Sequence, residues 1–163
     1  MIRAARLEDA AAIAAVYAPH VLTGTASFET EPPTAAEMAA RLARVMDHGW
    51  PWLVWEADGA ILGYAYASQF RDRPAYRATC ENSIYVAAGV HRQGVGRQLL
   101  LALIDAARGC GFGQMIAVIG DAAGNHGSVG LHRACGFIDA GRLVAVGNKF
   151  GRWLDVAYMQ RTL

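Results

Sequence analysis

The 163-residue chain is 54% apolar and only 18% charged, with a formal net charge of +1. That length suits one domain over residues 1–163 with a sizeable core, and the composition excludes an intrinsically disordered chain. So small a net charge argues against nucleic acid or a membrane surface as partner, and any anion must be handled locally.

The segment Ile2 to Arg6 reads as a strand, without the long apolar run of a signal peptide. A helix is expected from about Glu8-Asp9, with Ala10, Ile13, Ala14 and Tyr17 as its core stripe. After a loop over 23–33, Thr34-Ala35-Ala36-Glu37 spells a capping box, opening a helix with Met38, Leu42 and Val45 on one face and Gly49 as its stop. Trp52 to Glu56 and Ile61 to Ser68 are strand-like runs joined by Asp58-Gly59, a hairpin signal. Arg71 to Pro74 breaks the pattern as a loop, and Glu81 to Val86 resumes it as a strand.

From Gly94 to Arg108, Gly96, Leu99, Leu100, Leu103 and Ala107 form an apolar helical stripe, with Arg97, Gln98, Asp105 and Arg108 facing water. Met115 to Ile119 is a short buried strand, and Ser128 to Ala134 a helix stopped by Gly136. Phe137 to Val146 and Trp153 to Gln160 form a final antiparallel pair. The order β-α-α-β-β-β-α-β-α-β-β predicts an α/β (α+β) fold with helices covering a mixed sheet. No apolar stretch approaches the roughly 18 residues that cross a bilayer. Cys80, Cys110 and Cys135 cannot all pair and show no Cys-x-x-Cys spacing, so they are expected as reduced thiols in a cytoplasmic protein. No metal site is expected, because the histidines show no ligand spacing.

A strand ending at Val86, a short loop and a helix opening at Gly94-Val95-Gly96 suit an anion. Amides at a helix start lack intrahelical acceptors, and the dipole adds about half a positive charge there. Arg92 and Arg97 can add direct charge. A plain glycine-rich helix start is the alternative. A dinucleotide fingerprint would need glycine where Leu99 stands, and a P-loop would need Gly-Lys-Ser/Thr, which is missing.

The stretch Ile84 to Leu100, with His91-Arg92-Gln93-Gly94-Val95-Gly96, resembles the acetyl-CoA-binding motif of the GCN5-related N-acetyltransferase (GNAT) superfamily, Gln/Arg-x-x-Gly-x-Gly/Ala. His91 departs at the first motif position. Asn125, Ser128, Leu131 and Cys135-Gly136-Phe137 resemble the superfamily's second signature. Further stretches, Thr25 to Thr34, Tyr64 to Ala67, Ala117 to Gly120 and Lys149 to Val156, are similar to its phosphinothricin and methionine sulfoximine/sulfone acetyltransferases. The resemblance implies a single mixed, mostly antiparallel seven-stranded sheet with about four helices. It implies acetyl-CoA as donor, held by Ile84, Tyr85, Val86, His91, Arg92, Gln93, Gly94, Val95, Gly96, Arg97, Asn125 and Ser128. It also implies a bulge exposing amides around Tyr85 and Val86, and a homodimer with Lys149 to Trp153 near the site or the subunit contact.

Acetyl transfer from a thioester to an amine needs a base, a donor to the carbonyl oxygen, and an acid for the thiolate. Glu81, at the start of the strand before the turn, is the candidate base, the alternative being a solvated strand-end carboxylate. His132 stands where many superfamily members place a proton-donating tyrosine, the alternative being a packed helix-face histidine. Arg71 and Arg73 can grip a substrate carboxylate, with Phe28 and Trp153 as apolar walls and Asn82 and Lys149 nearby, although solvated arginines and core aromatics are the other reading. The expected acceptor is the α-amine of a small amino-acid analogue of methionine sulfone, methionine sulfoximine or phosphinothricin type. Protein N-termini, lysines or polyamines are alternative acceptors, and a non-catalytic acyl-CoA-binding module is the other class.

Overall fold

In the computed structural model, which describes residues 1–90 and 93–163, seven strands form one sheet. In chain order the elements are β1 (Ile2–Ala4), α1 (Ala10–Leu22), α2 (Ala35–Asp47), β2 (Trp52–Ala57), β3 (Ala60–Gln69), β4 (Thr79–Val86), α3 (Val95–Gly109), β5 (Gln114–Gly120), α4 (His126–Ala134), β6 (Ile138–Lys149) and β7 (Arg152–Thr162). Their order across the sheet is β1-β2-β3-β4-β5-β7-β6. Only β4 and β5 pair in parallel, and α3 is the crossover between them.

Local chemistry accounts for the element ends. Thr34 Oγ1 accepts from the Glu37 amide at 3.2 Å while the Glu37 carboxylate accepts from the Thr34 amide at 2.7 Å, so α2 starts on a complete capping box. Asp58 and Gly59 take positive φ of 50° and 76°, the left-handed pair that a two-residue hairpin requires. Gly136 closes α4 at φ 83°.

Two apolar clusters sit on the two faces of the sheet. One joins α3 (Leu99, Leu100, Leu103, Ile104) to Ala65, Ala67, Cys80, Met115 and Ala117. The other joins α1 and α2 (Ile13, Tyr17, Met38, Leu42) to Trp52, Val54 and Tyr64. The stripes expected for α1, α2 and α3 are the buried ones, except that Gly96 is only half-buried. Among the described residues no helix is long and apolar enough to cross a membrane. All three cysteines are free thiols, two of them buried.

Candidate active site

The site is made by a parallel pair that comes apart. β4 and β5 are in register from Thr79↔Gln114 to Asn82↔Ala117 and no further, although β4 runs on to Val86 and β5 to Gly120. Beyond Asn82 the strands splay, and the gap is lined by Ile84, Tyr85, Val86, Val118, Ile119, Gly120, Asn125, Ser128, His132 and His20.

The expected bulge in β4 is absent. Its register with β3 is unbroken from Cys80↔Gln69 to Val86↔Gly63 and continues in the Ala87 amide donating to Leu62 O at 2.9 Å. Because peptide groups alternate in direction along an antiparallel strand, the Tyr85 amide faces β3, while the amides of Ile84 and Val86 face the gap. The splay from β5, and not a bulge, leaves these amides facing the gap.

Strand alternation also divides the side chains of β4. Asn82, Ile84 and Val86 lie on the α3/α4 face, and Glu81, Ser83 and Tyr85 on the α1/α2 face. The two expected catalytic groups therefore approach the gap from opposite sides of the sheet.

On the α3/α4 face, Gly94 caps α3 in the left-handed region at φ 80°. A Cβ on Gly96 would lie 3.4 Å from Leu131 Cδ2 and 3.8 Å from Val86 Cγ2, so the small residue seats the start of α3 against α4 and β4. Val95 is buried, Arg97 and Gln93 are exposed, and the Gln93 side chain donates to Gly89 O at 3.2 Å. His91 and Arg92 lie outside the described residues. Asn125 is the N-cap residue of α4, and Ser128 stands one turn before His132.

His132 is 2% exposed, with Nδ1 2.8 Å from Ser128 O and Nε2 3.0 Å from Asn82 Oδ1. Burial pushes its pKa below the ordinary histidine value, against the hydrogen bond to Ser128. Asn82, expected at the substrate, is 5% exposed and turned away from Glu81. Its amide donates to Ile116 O at 3.2 Å, so it holds the last rung before the splay and positions the imidazole.

On the other face a cleft of about 400 Å³ is lined by Tyr17, Phe28, Glu29, Glu81, Ser83, Tyr85, Val118 and Gly120. Burial raises the Glu81 pKa above the usual carboxylate range, and Arg71, 3.6 Å away, opposes the rise. A carboxylate whose pKa is raised toward neutrality is suited to take a proton from an amine. Arg71 also lies over the Phe70 ring at 4.0 Å. Arg73 is exposed, and its carbonyl accepts from the Gln69 side chain at 3.0 Å.

Phe28 enters this cleft in a slot between two glycines. A Cβ on Gly147 would lie 2.2 Å from Phe28 Cε2, and one on Gly120 2.8 Å from Cε1. The same loop is tied by Thr25 to the buried Asp121 carboxylate and by Lys149, whose buried Nζ donates to Ser27 O at 2.7 Å. Burial lowers the Lys149 pKa while attraction to Glu29 opposes the shift. Trp153, expected as a wall, is instead 70% exposed on the outer strand pair.

Sequence reasoning passed over several residues. Glu29 accepts from Arg41 at 2.7 and 2.9 Å and from the Tyr17 hydroxyl at 2.9 Å. His20 lines the gap with Nε2 3.1 Å from Val86 O. Neither carried a sequence signal, because each contact joins segments far apart in the chain.

Two clefts meet at a splayed parallel pair, one lined by the end of β4 with Asn125, Ser128 and His132 of the α4 side, the other by a perturbed carboxylate. The model of the acetyltransferase (GNAT) domain matches residues 2–158, and the chain belongs to that family and is an acyltransferase. It is 56% identical over 162 residues to phosphinothricin N-acetyltransferase of Alcaligenes faecalis, covering 99% of this chain and 82% of that one. It is 40% identical over 163 residues to the L-methionine sulfoximine/L-methionine sulfone acetyltransferase of Pseudomonas aeruginosa, covering 99% and 94%. A crystal structure of a phosphinothricin acetyltransferase from Sinorhizobium meliloti in complex with AcCoA superposes with a TM-score of 0.96 at 45% identity, covering 100% and 88%.

Proposed function

We propose that the protein transfers the acetyl group of acetyl-CoA directly to the α-amine of a small amino-acid analogue of methionine sulfone, methionine sulfoximine or phosphinothricin type. The observation that carries this reading is the meeting of the two clefts at the β4–β5 splay, which lets both substrates reach one point at once. The names of the relatives supply the acceptor class.

Acetyl-CoA supplies the thioester. The helix-start amides at Gly94 to Gly96, with Arg97, bind its pyrophosphate, and the gap-facing amides of Ile84 and Val86 align its arm and receive the negative charge developing on the carbonyl oxygen. Glu81 removes the proton from the attacking amine, directly or through water. The N–C bond forms as the C–S bond breaks, and His132 returns a proton toward the departing thiolate. Arg71 receives the acceptor's carboxylate, and Phe28 walls its side chain.

Two copies are proposed to pair through the outer strands. β6 is an edge strand, exposed at every residue from Ile138 to Val146, and Val144 (73% exposed), Val146, Phe150 and Trp153 form an apolar strip along it and β7. Such an edge invites pairing unless it is covered. The free thiols suit a reducing, cytoplasmic compartment.

The test is thiol release from acetyl-CoA across a panel of amino acids and analogues, with products identified by mass. Turnover is expected with methionine sulfone, methionine sulfoximine or phosphinothricin. Turnover confined to lysine, polyamines or peptide N-termini would overturn the acceptor class, and no thiol release at all would overturn the reading.

A further inference from the structure

The floor of the acceptor cleft does not stop at Glu81. On the same sheet face Ser68 stands directly opposite Glu81, and Tyr66 opposite Ser83. Trp52 of β2 is in turn opposite Tyr66. Along this strip a second cavity opens, about 550 Å³, in the size range of small-ligand sites.

Its walls are flat. Trp52 and Tyr66 stack at 4.1 Å with planes 13° apart, and His48 stacks on Trp50 at 4.3 Å and 19°. Arg44, exposed at the rim, takes part in none of the ion pairs among the described residues. Trp52 is 4% exposed, and its Nε1–H is the one buried side-chain nitrogen or oxygen among the described residues without a hydrogen-bond partner. A buried donor left unpaired costs on the order of 1–3 kcal/mol. Asp72 also lines the cavity.

The partition between the two cavities is an ion pair. Arg41 lines the second cavity and Glu29 the acceptor cleft, and the two are joined by paired bonds of 2.7 and 2.9 Å. That pair runs from α2 to the loop, over a sheet floor that is continuous through the Ser68–Glu81 and Tyr66–Ser83 rungs.

We infer that this cavity is a second acceptor subsite, for an aromatic, carboxylate-bearing residue joined by a peptide bond to the residue whose amine meets Glu81. The inference rests on the amine-acetyltransferase reading above and extends its substrate class to dipeptides. One β-strand repeat of two residues, about 7 Å, separates Ser68 from Tyr66, a span that one added residue and its side chain cover. The peptide chain passes beneath the Glu29–Arg41 pair, the ring enters between the aromatic walls, and the terminal carboxylate meets Arg44. The chemistry is unchanged: the amine gains an N–C bond, the C–S bond breaks, and Glu81 takes the proton.

The experiment compares specificity constants, by thiol release from acetyl-CoA, for methionine sulfone and for its dipeptides with C-terminal phenylalanine and with C-terminal glycine. The phenylalanine dipeptide is expected to exceed the glycine one at least fivefold. Arg44→Ala, at an exposed position that folding does not depend on, is expected to cut that ratio below twofold. Equal constants for the two dipeptides, or a ratio that survives Arg44→Ala, would overturn the subsite. Turnover of methionine sulfone but of neither dipeptide would overturn the subsite while leaving the acceptor class intact. No turnover of any of the three would overturn the acceptor class itself.

Discussion

The guanidinium of Arg71 stands 3.6 Å from the carboxylate of Glu81, which lines the acceptor cleft. Burial raises the Glu81 pKa and Arg71 restrains the rise. The acid limb of kcat/KM should therefore lie above the ordinary carboxylate range, with activity appearing as pH rises through it. Arg71→Gln should move that limb to higher pH and raise the KM of an amino-acid acceptor. Glu81→Gln should remove the limb and lower kcat/KM by roughly 10²–10⁴-fold. A pH–rate profile left in place by Arg71→Gln would count against Glu81 as the base.

The same shift has an opposite consequence for stability. A carboxyl whose folded pKa is raised holds its proton more tightly when folded, so that stability is present below its unfolded pKa and lost as pH rises through the folded value. Glu81→Gln should thus raise the thermal midpoint relative to wild type at pH 8 and leave the difference smaller at pH 4. Melting curves at the two values check this, and a variant less stable at pH 8 would contradict it.

Phe28 fits only because positions 120 and 147 lack side chains. Gly147→Ala puts a Cβ 2.2 Å from the ring, closer than packing permits, so the ring must leave its slot or the strand must shift. Overpacking of this kind costs about 1–3 kcal/mol. The loop that carries Phe28 lines the acceptor cleft, so the acceptor's KM should rise more than that of acetyl-CoA. Equal changes in both would show that the loop serves stability alone.

Gly94 separates conformation from contact. An added Cβ would meet only Gln98 Nε2, at 3.8 Å, so there is room for it, but φ is 80°. Gly94→Ala should cost about 1 kcal/mol through backbone strain and turn the first amides of α3. Its signature is a raised KM for acetyl-CoA with the acceptor's KM little changed, read from initial rates.

How much of this was legible in the sequence depended on whether the signal was local. The Thr34–Glu37 capping box and the Asp58-Gly59 turn were readable because a few adjacent residues determine them. The β6–β7 turn has the same left-handed pair, at Phe150 (54°) and Gly151 (70°), yet phenylalanine is no turn former, and β6 runs three residues past its expected end. Glu81, His132 and the glycine turn stand out in the sequence as candidates. Their division between the two faces does not, since it follows from where β5 leaves β4. The bonds from Lys149 to Ser27 and from Arg41 to Glu29 span 122 and 12 positions, and no periodicity announces them.

His132 stands between two acceptors, Ser128 O and Asn82 Oδ1, and a neutral imidazole carries one N–H. Protonation would satisfy both, but burial opposes the charge and the net shift is downward. A histidine whose folded pKa is depressed contributes stability that is present above its unfolded pKa, about 6.5, and lost as pH falls through the folded value. The thermal midpoint of the wild type should therefore drop between pH 7.5 and pH 5 more steeply than that of His132→Asn, which has no imidazole to titrate. If the ring also returns the proton to the thiolate, His132→Asn should lower kcat while leaving both KM values near wild type. Parallel melting curves would remove the titration argument. A variant with unchanged kcat would leave His132 only the task of fixing Asn82 at the last rung before the strands part.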